Sequence, residues 1–252
     1  MRDEPPPDAV PNWLLVQRAL ADADPTRPAF SCFCSPESLY AITDKTKLTE
    51  ACFDIYQLGI NAPLQNTSEY APWLDHWKVC ARDNTMWVVL QTFAISGAFR
   101  YPTAEELRSQ TYLSLAAGCK GIFFFIYQTM PKHPQRLEGL VDPLGKPLPI
   151  YAPTTVLAKE LGKLSQLILT LKPADFKATV QKDCRAGCFV DSQERQVIIV
   201  ASSRPDASII AELASVPDAT WKDALTGETY ISKDGNMRVA LRPGSGRVLV
   251  KG

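Results

Sequence analysis

"PTAEELRSQTYLSLAAGCKGIFFFIYQ" spans residues 102–128 and sets a helix directly before a strand. Thr103, just after Pro102, is placed to cap a helix, and Glu106 three residues on completes a capping box. Tyr112, Leu115, Ala116 and Cys119 then recur at the spacing of one apolar helix face. From Gly121 the chain is apolar almost throughout, which predicts a strand buried on both faces. A helix feeding such a strand predicts a parallel sheet with right-handed crossovers.

The same alternation extends in both directions. Upstream, "MWVVLQTFA" (86–94), "ACFDIYQLGI" (51–60) and "PAFSCFCS" (28–35) read as strands. Helical patterns cover 12–25 and 68–84, the second with Trp73, Trp77 and Cys80 on one face that is expected in the core. Downstream, a loop rich in proline and glycine leads to a further helix at about 153–171. Four β–α units result. Beyond Lys172 the texture changes to short β-type runs such as "RQVIIVASS", "NMRVAL" and "GRVLVKG", separated by turns such as Asp234-Gly235. The expected division is an α/β region at 1–172 and a small antiparallel β-sandwich at 173–252.

Composition narrows the partners. Lys plus Arg and Asp plus Glu each number 27 in 252 residues, so no basic field exists to draw in nucleic acid or anionic lipid. No apolar run reaches the roughly 18 residues that cross a bilayer. The opening residues do not read as a signal peptide, and the sequence assigns no compartment. Of seven cysteines, Cys32 and Cys34 would share a strand face, and Cys184 and Cys188 have neither zinc nor redox spacing. Buried free thiols are the expectation. With two histidines, His76 and His133, neither beside a cysteine, no metal or other cofactor is expected.

Several of these segments also resemble a known family. "RDEPPP" (2–7) followed by "DPTRPAF" (24–30) resembles the fourth strand, fourth helix and fifth strand of glycoside-hydrolase-like (β/α)8 barrels of the clan-A type. "FDIYQL" is similar to their sixth strand and "WVVLQTF" to the seventh. The stretch 101–128 resembles the seventh helix and eighth strand. "DALTGE" and "LRPGSGRVLV" resemble the closing strands of the β-domain that follows many such barrels. The resemblance implies the C-terminal half of a TIM barrel, strands 4/5 to 8, with the first strands absent. It further implies an oligo- or polysaccharide partner and hydrolysis of O-glycosidic bonds in the complete form. Alternatively, the chain is a non-catalytic half-barrel that binds carbohydrate, self-associates or pairs with another chain, or is a gene remnant.

Barrel sites lie at the C-terminal ends of the strands, and glycoside hydrolysis needs two carboxyl groups. The resemblance puts Glu4 at the position of the family's acid/base glutamate, with Asp3 beside it as a substrate contact. A solvated carboxylate is the plain alternative for Glu4. Gln91 stands near the family's nucleophile position, where an amide can only hydrogen-bond a hydroxyl. Asp54, with Tyr56 on the same strand face, is the remaining carboxylate at a strand end, as a base or as a structural aspartate. Phe93 and Tyr127 are candidate sugar platforms or core. Arg100 is a candidate contact for an anionic substituent or a solvated loop residue.

Overall fold

The structure, a computed structural model, describes residues 3–26, 30–62, 70–134 and 136–252. A short 3₁₀ turn leads into α1 (Val10–Ala23), and then strand and helix alternate. β1 (Cys32–Phe33) is followed by α2 (Pro36–Thr43), and β2 (Glu50–Ile55) by α3 (Tyr70–Ala81). β3 (Thr85–Gln91) and the two-residue β4 (Ala94–Ile95) precede α4 (Ala104–Ala117). β5 (Gly121–Phe125) and the short β6 (Leu137–Glu138) precede α5 (Tyr151–Thr170). The sequence reading missed α2, although its start is written locally: Ser35 accepts from the Ser38 N–H at 3.3 Å, and Pro36 takes the first helical position. Pro28 and Ala29 of the first strand candidate, and residues 68 and 69 of the second helix, lie outside the described residues.

The strands β1, β2, β3 and β5 form one parallel sheet in that order. Its register sets Cys32 beside Cys52, Asp54 beside Val89, and Gln91 beside Phe125. Side chains alternate between faces, so Phe33, Phe53, Val88 and Leu90 point to the helices and enter one core with Trp13, Leu74 and Trp77. The opposite face carries Cys52, Asp54, Trp87, Gln91, Phe123 and Phe125. Contrary to the sequence expectation, β5 is not buried on both faces. Phe123 and Phe125 are exposed, because no described element covers them. They do not stand alone: Phe30, Trp87 and Phe123 meet at ring separations of 5.6–5.9 Å.

α4 is buried on nearly every side, which its modest apolar stripe did not announce. Its polar groups are satisfied inside. Ser109 donates to the Ser202 carbonyl at 2.7 Å, and Ser114 lies 3.0 Å from the Tyr70 hydroxyl. The covering elements come from the C-terminal region.

That region begins with the two-residue strands β7 (Lys172–Pro173) and β8 (Thr179–Val180). The longer strands follow: β9 (Cys184–Val190), β10 (Gln196–Ser202), β11 (Ile209–Ala214) and β12 (Ala219–Asp223). β13 (Thr229–Ser232), β14 (Asn236–Leu241) and β15 (Gly246–Lys251) complete the chain. A six-stranded antiparallel sheet, β13-β12-β15-β10-β9-β7, faces a three-stranded one, β14-β11-β8. β10 serves two cores at once. Val197, Ile199 and Ala201 join the core around α4, whereas Ile198 and Val200 pack with Trp221, Leu213 and Val239 between the sheets. At Gly187 on β9 an added Cβ would lie 2.1 Å from the Ala116 carbonyl oxygen, so strand and helix backbone are in direct contact.

Two further expectations change. Trp77 is core, but Trp73, one turn earlier, is 47% exposed against His76. All seven cysteines are free, yet only Cys52, Cys80 and Cys119 are buried, while Cys34 is exposed on the open side of the sheet. Among the described residues no helix is long and apolar enough to cross a membrane.

Candidate active site

Asp54 is the last residue but one of β2, and Phe53 and Ile55 on either side of it are held in the helix-side core. Alternation therefore sends Asp54 to the open face. Even there it is only 8% exposed, and its Oδ1 is buried without a hydrogen-bond partner among the described residues. Glu4 reaches the same place from the N-terminal segment. Its N–H donates to the Cys32 carbonyl at 3.2 Å, aligning residues 3 and 4 with β1. Its φ of +47° lies in the left-handed region that few non-glycine residues adopt.

The Glu4 carboxyl comes close enough to Asp54 to act on its charge. Two negative charges so close oppose each other, which favours a proton on Asp54. Burial first, and then the charge of Glu4, push the Asp54 carboxyl up to about 7, while the Tyr56 hydroxyl bonded to it pulls the other way. Tyr56 itself is raised by burial and by Asp54. Cys34 hydrogen-bonds Glu4 and is pushed up to about 11, by burial before the Glu4 charge. The Cys32 thiol is raised by its hydrogen bond with Cys52 and by burial. Asp3 is exposed beside the pair.

Asp54 thus binds a proton more tightly in the folded chain than the usual carboxylate range near 3.9 allows. Stability from this group is fully present below about pH 3.9 and is lost as pH rises through about 7. Urea unfolding at pH 5 and pH 8 measures this. Asp54→Asn is expected to gain stability relative to the wild type between those two values. A constant difference between the two proteins would contradict the raised Asp54 carboxyl.

Aromatic rings border the carboxyl pair. Tyr56 meets Phe93 edge-on at 4.9 Å and lies nearly parallel to Phe125 at 6.1 Å. Phe93 is buried beneath them, so it supports rings rather than presenting one. Tyr127 is 61% exposed beyond the end of β5. Phe125 was missed in the sequence, although positions 121, 123, 125 and 127 of a strand share a face and point to it.

Two expected substrate contacts have partners within the protein. Gln91 is fully buried, and its amide is used up by backbone. Oε1 accepts from the Leu58 N–H at 3.1 Å, and Nε2 donates to the Arg100 carbonyl at 2.8 Å. It ties the loops after β2 and β3 together. Arg100 is neither solvated nor aimed at a ligand. Its guanidinium grips Glu106 with bonds of 2.8 and 2.6 Å and also donates to the Tyr101 and Ala62 carbonyls. Glu106, assigned from sequence to capping alone, does both jobs: Oε2 also accepts from the Thr103 N–H at 2.8 Å. No cluster of three or more histidine, cysteine or acidic side chains suited to a metal occurs among the described residues.

No model of a protein family matches the chain, and no curated protein matches its sequence. Solved structures do match in fold. α-Galactosidase I from Mortierella vinacea superimposes with a TM-score of 0.55 at 11% identity over 99% of this chain and 64% of its own. A structure described as a putative α-galactosidase from Bacteroides fragilis gives 0.55 at 11% over 97% and 51%. The β-galactosidase of the haloarchaeon Halorubrum lacusprofundi gives 0.53 at 17% over 63% and 26%. The chain spans between about a quarter and two-thirds of the length of these relatives. Its fold is glycoside-hydrolase-like.

Proposed function

We propose that the chain is the C-terminal half of a (β/α)8 barrel, residues 1–172, with a β-sandwich at 173–252, and that it belongs to an enzyme hydrolysing O-glycosidic bonds of an oligo- or polysaccharide. One observation carries this reading: two carboxyl groups, Glu4 and Asp54, come together at the carboxyl ends of parallel strands beside aromatic rings. Catalytic groups of such barrels occupy that end.

Glu4 is the group open to a ligand, so it is the general acid, giving its proton to the leaving glycosidic oxygen. Asp54 lies beside Glu4 rather than across a bond from it, so it is not the opposing carboxylate. Its role is to position Glu4 and to hold a proton beside it near neutral pH. The carboxylate on the far side of the bond comes from strands that close the barrel. Tyr127 and Phe125 offer ring faces to a pyranose, and Asp3 a rim hydrogen bond.

A second reading has its own support. No further strand adjoins either edge of the parallel sheet, β1 or β5, among the described residues, and Phe123 and Phe125 are exposed on its open face. Such a surface favours association, with a second copy or with a complementary half-barrel, before any chemistry.

The test is Glu4→Gln in the barrel-complete protein, assayed on aryl galactosides and maltooligosaccharides. The expected loss in kcat is at least about a hundredfold, the usual contribution of a general acid. Aryl substrates with good leaving groups lose less. Unchanged turnover would end the assignment of Glu4.

A further inference from the structure

At the end of the parallel strands opposite Glu4, a cleft of about 670 Å³ opens between the helices and the C-terminal region. The size is that of a small-molecule site. Its walls are apolar, with Met86, Leu115, Ile168, Phe176 and Phe189 among them. Its rim is cationic: Lys78, Arg82, Lys120, Lys172, Lys177 and Arg185, against a single acid, Asp83. In a chain whose formal charge sums to zero, this is a concentrated positive field.

Arg82 is neutralised by Asp44 at 2.6 Å and Arg185 by Asp75. No carboxylate pairs with Lys78, Lys172 or Lys177 among the described residues. Lys78, in the last turn of α3, and Lys120, which donates to the Leu169 carbonyl at 3.1 Å near the end of α5, offset helix C-termini. That role does not extend to Lys177, well past α5. It also leaves the crowding of Lys120 by Lys172 unrelieved. Burial, and then the charge of Lys172, lower the pKa of the Lys120 ammonium. Ammonium groups held together without a counter-charge, over an apolar floor, form the complement of one kind of molecule.

We propose that this cleft binds a single-chain amphiphilic anion, its carboxylate, sulfate or phosphate head held among Lys120, Lys172 and Lys177, and its alkyl chain laid along Met86, Ile168 and Phe176. The site is independent of the carboxyl pair and of any glycosidase reaction.

Sodium decanoate below its micellar concentration is the probe, titrated calorimetrically into the full chain. Saturable binding is expected at one equivalent per chain, weakened at least tenfold in Lys120→Glu/Lys172→Glu and in Lys172→Glu/Lys177→Glu. The second pair consists of exposed side chains, so the fold tolerates it. Phe123→Ser, on the open face of the parallel sheet, is expected to bind decanoate like the wild type. Undiminished affinity in Lys172→Glu/Lys177→Glu would overturn the proposal, as would loss in Phe123→Ser alone. Decanol binding as tightly as decanoate would overturn the role of the charge. Inorganic sulfate displacing decanoate at equal concentration would overturn that of the apolar wall.

Discussion

Glu106→Ala is expected to destabilise the chain by about 3–5 kcal/mol, the cost of leaving one partner of a buried ion pair uncompensated. Glu106 is fully buried, and both its oxygens are engaged by Arg100, whose side chain is only 16% exposed. The alanine variant strands the guanidinium and also frees the Thr103 N–H, removing half of the capping box. Against a typical total of about 5–15 kcal/mol, such a loss leaves little. Urea unfolding followed by far-UV circular dichroism measures it. Arg100→Leu/Glu106→Leu is expected to lose less than the sum of its single variants, because no unpaired charge then remains. Additive losses would mean that the pair is only a neighbourhood.

Trp77→Ala is the second large effect, again about 3–5 kcal/mol, as for other buried aromatic truncations. The Trp77 ring is 1% exposed and stacks on Phe53 with centroids 4.6 Å apart and planes within 8°. Phe53 is the residue before Asp54 on β2, so the same contact braces the strand that carries the candidate site. Trp73→Ala, one turn away on the exposed side of α3, is expected to cost under about 1 kcal/mol. Equal losses in the two tryptophan variants would show that Trp73 is covered in solution, by a second copy or by another partner.

The contrast between these two tryptophans shows what sequence patterning can resolve. Both fit a helical stripe, but the stripe is narrower than the spacing suggests, and only three-dimensional packing says which edge is inside. Local signals read true where the interaction itself is local. Thr103 and Glu106 are three residues apart, and the capping box forms as written. Gln91 was misjudged because its partners include Leu58, more than thirty residues away, which no periodicity reports. Arg100 was misjudged for a related reason: Glu106 had already been given one role, and a carboxylate with two oxygens can fill two. The meeting of Glu4 with Asp54 was not visible at all. It follows from Glu4 aligning with Cys32 and from the parallel register of Cys32 with Cys52. Family resemblance singled out Glu4, and strand alternation Asp54, but neither gave their proximity.

Gly187 bears on how this protein can be taken apart and rebuilt. Because β9 touches the α4 backbone there, the two halves of the chain are not interchangeable cassettes. A transplanted β-module would need a glycine at that point and apolar residues in place of Val197, Ile199 and Ala201 to dress the helix. Conversely, a protease nicking the chain at exposed Lys172 would leave two fragments that travel together until denatured, as subunits joined by an interior.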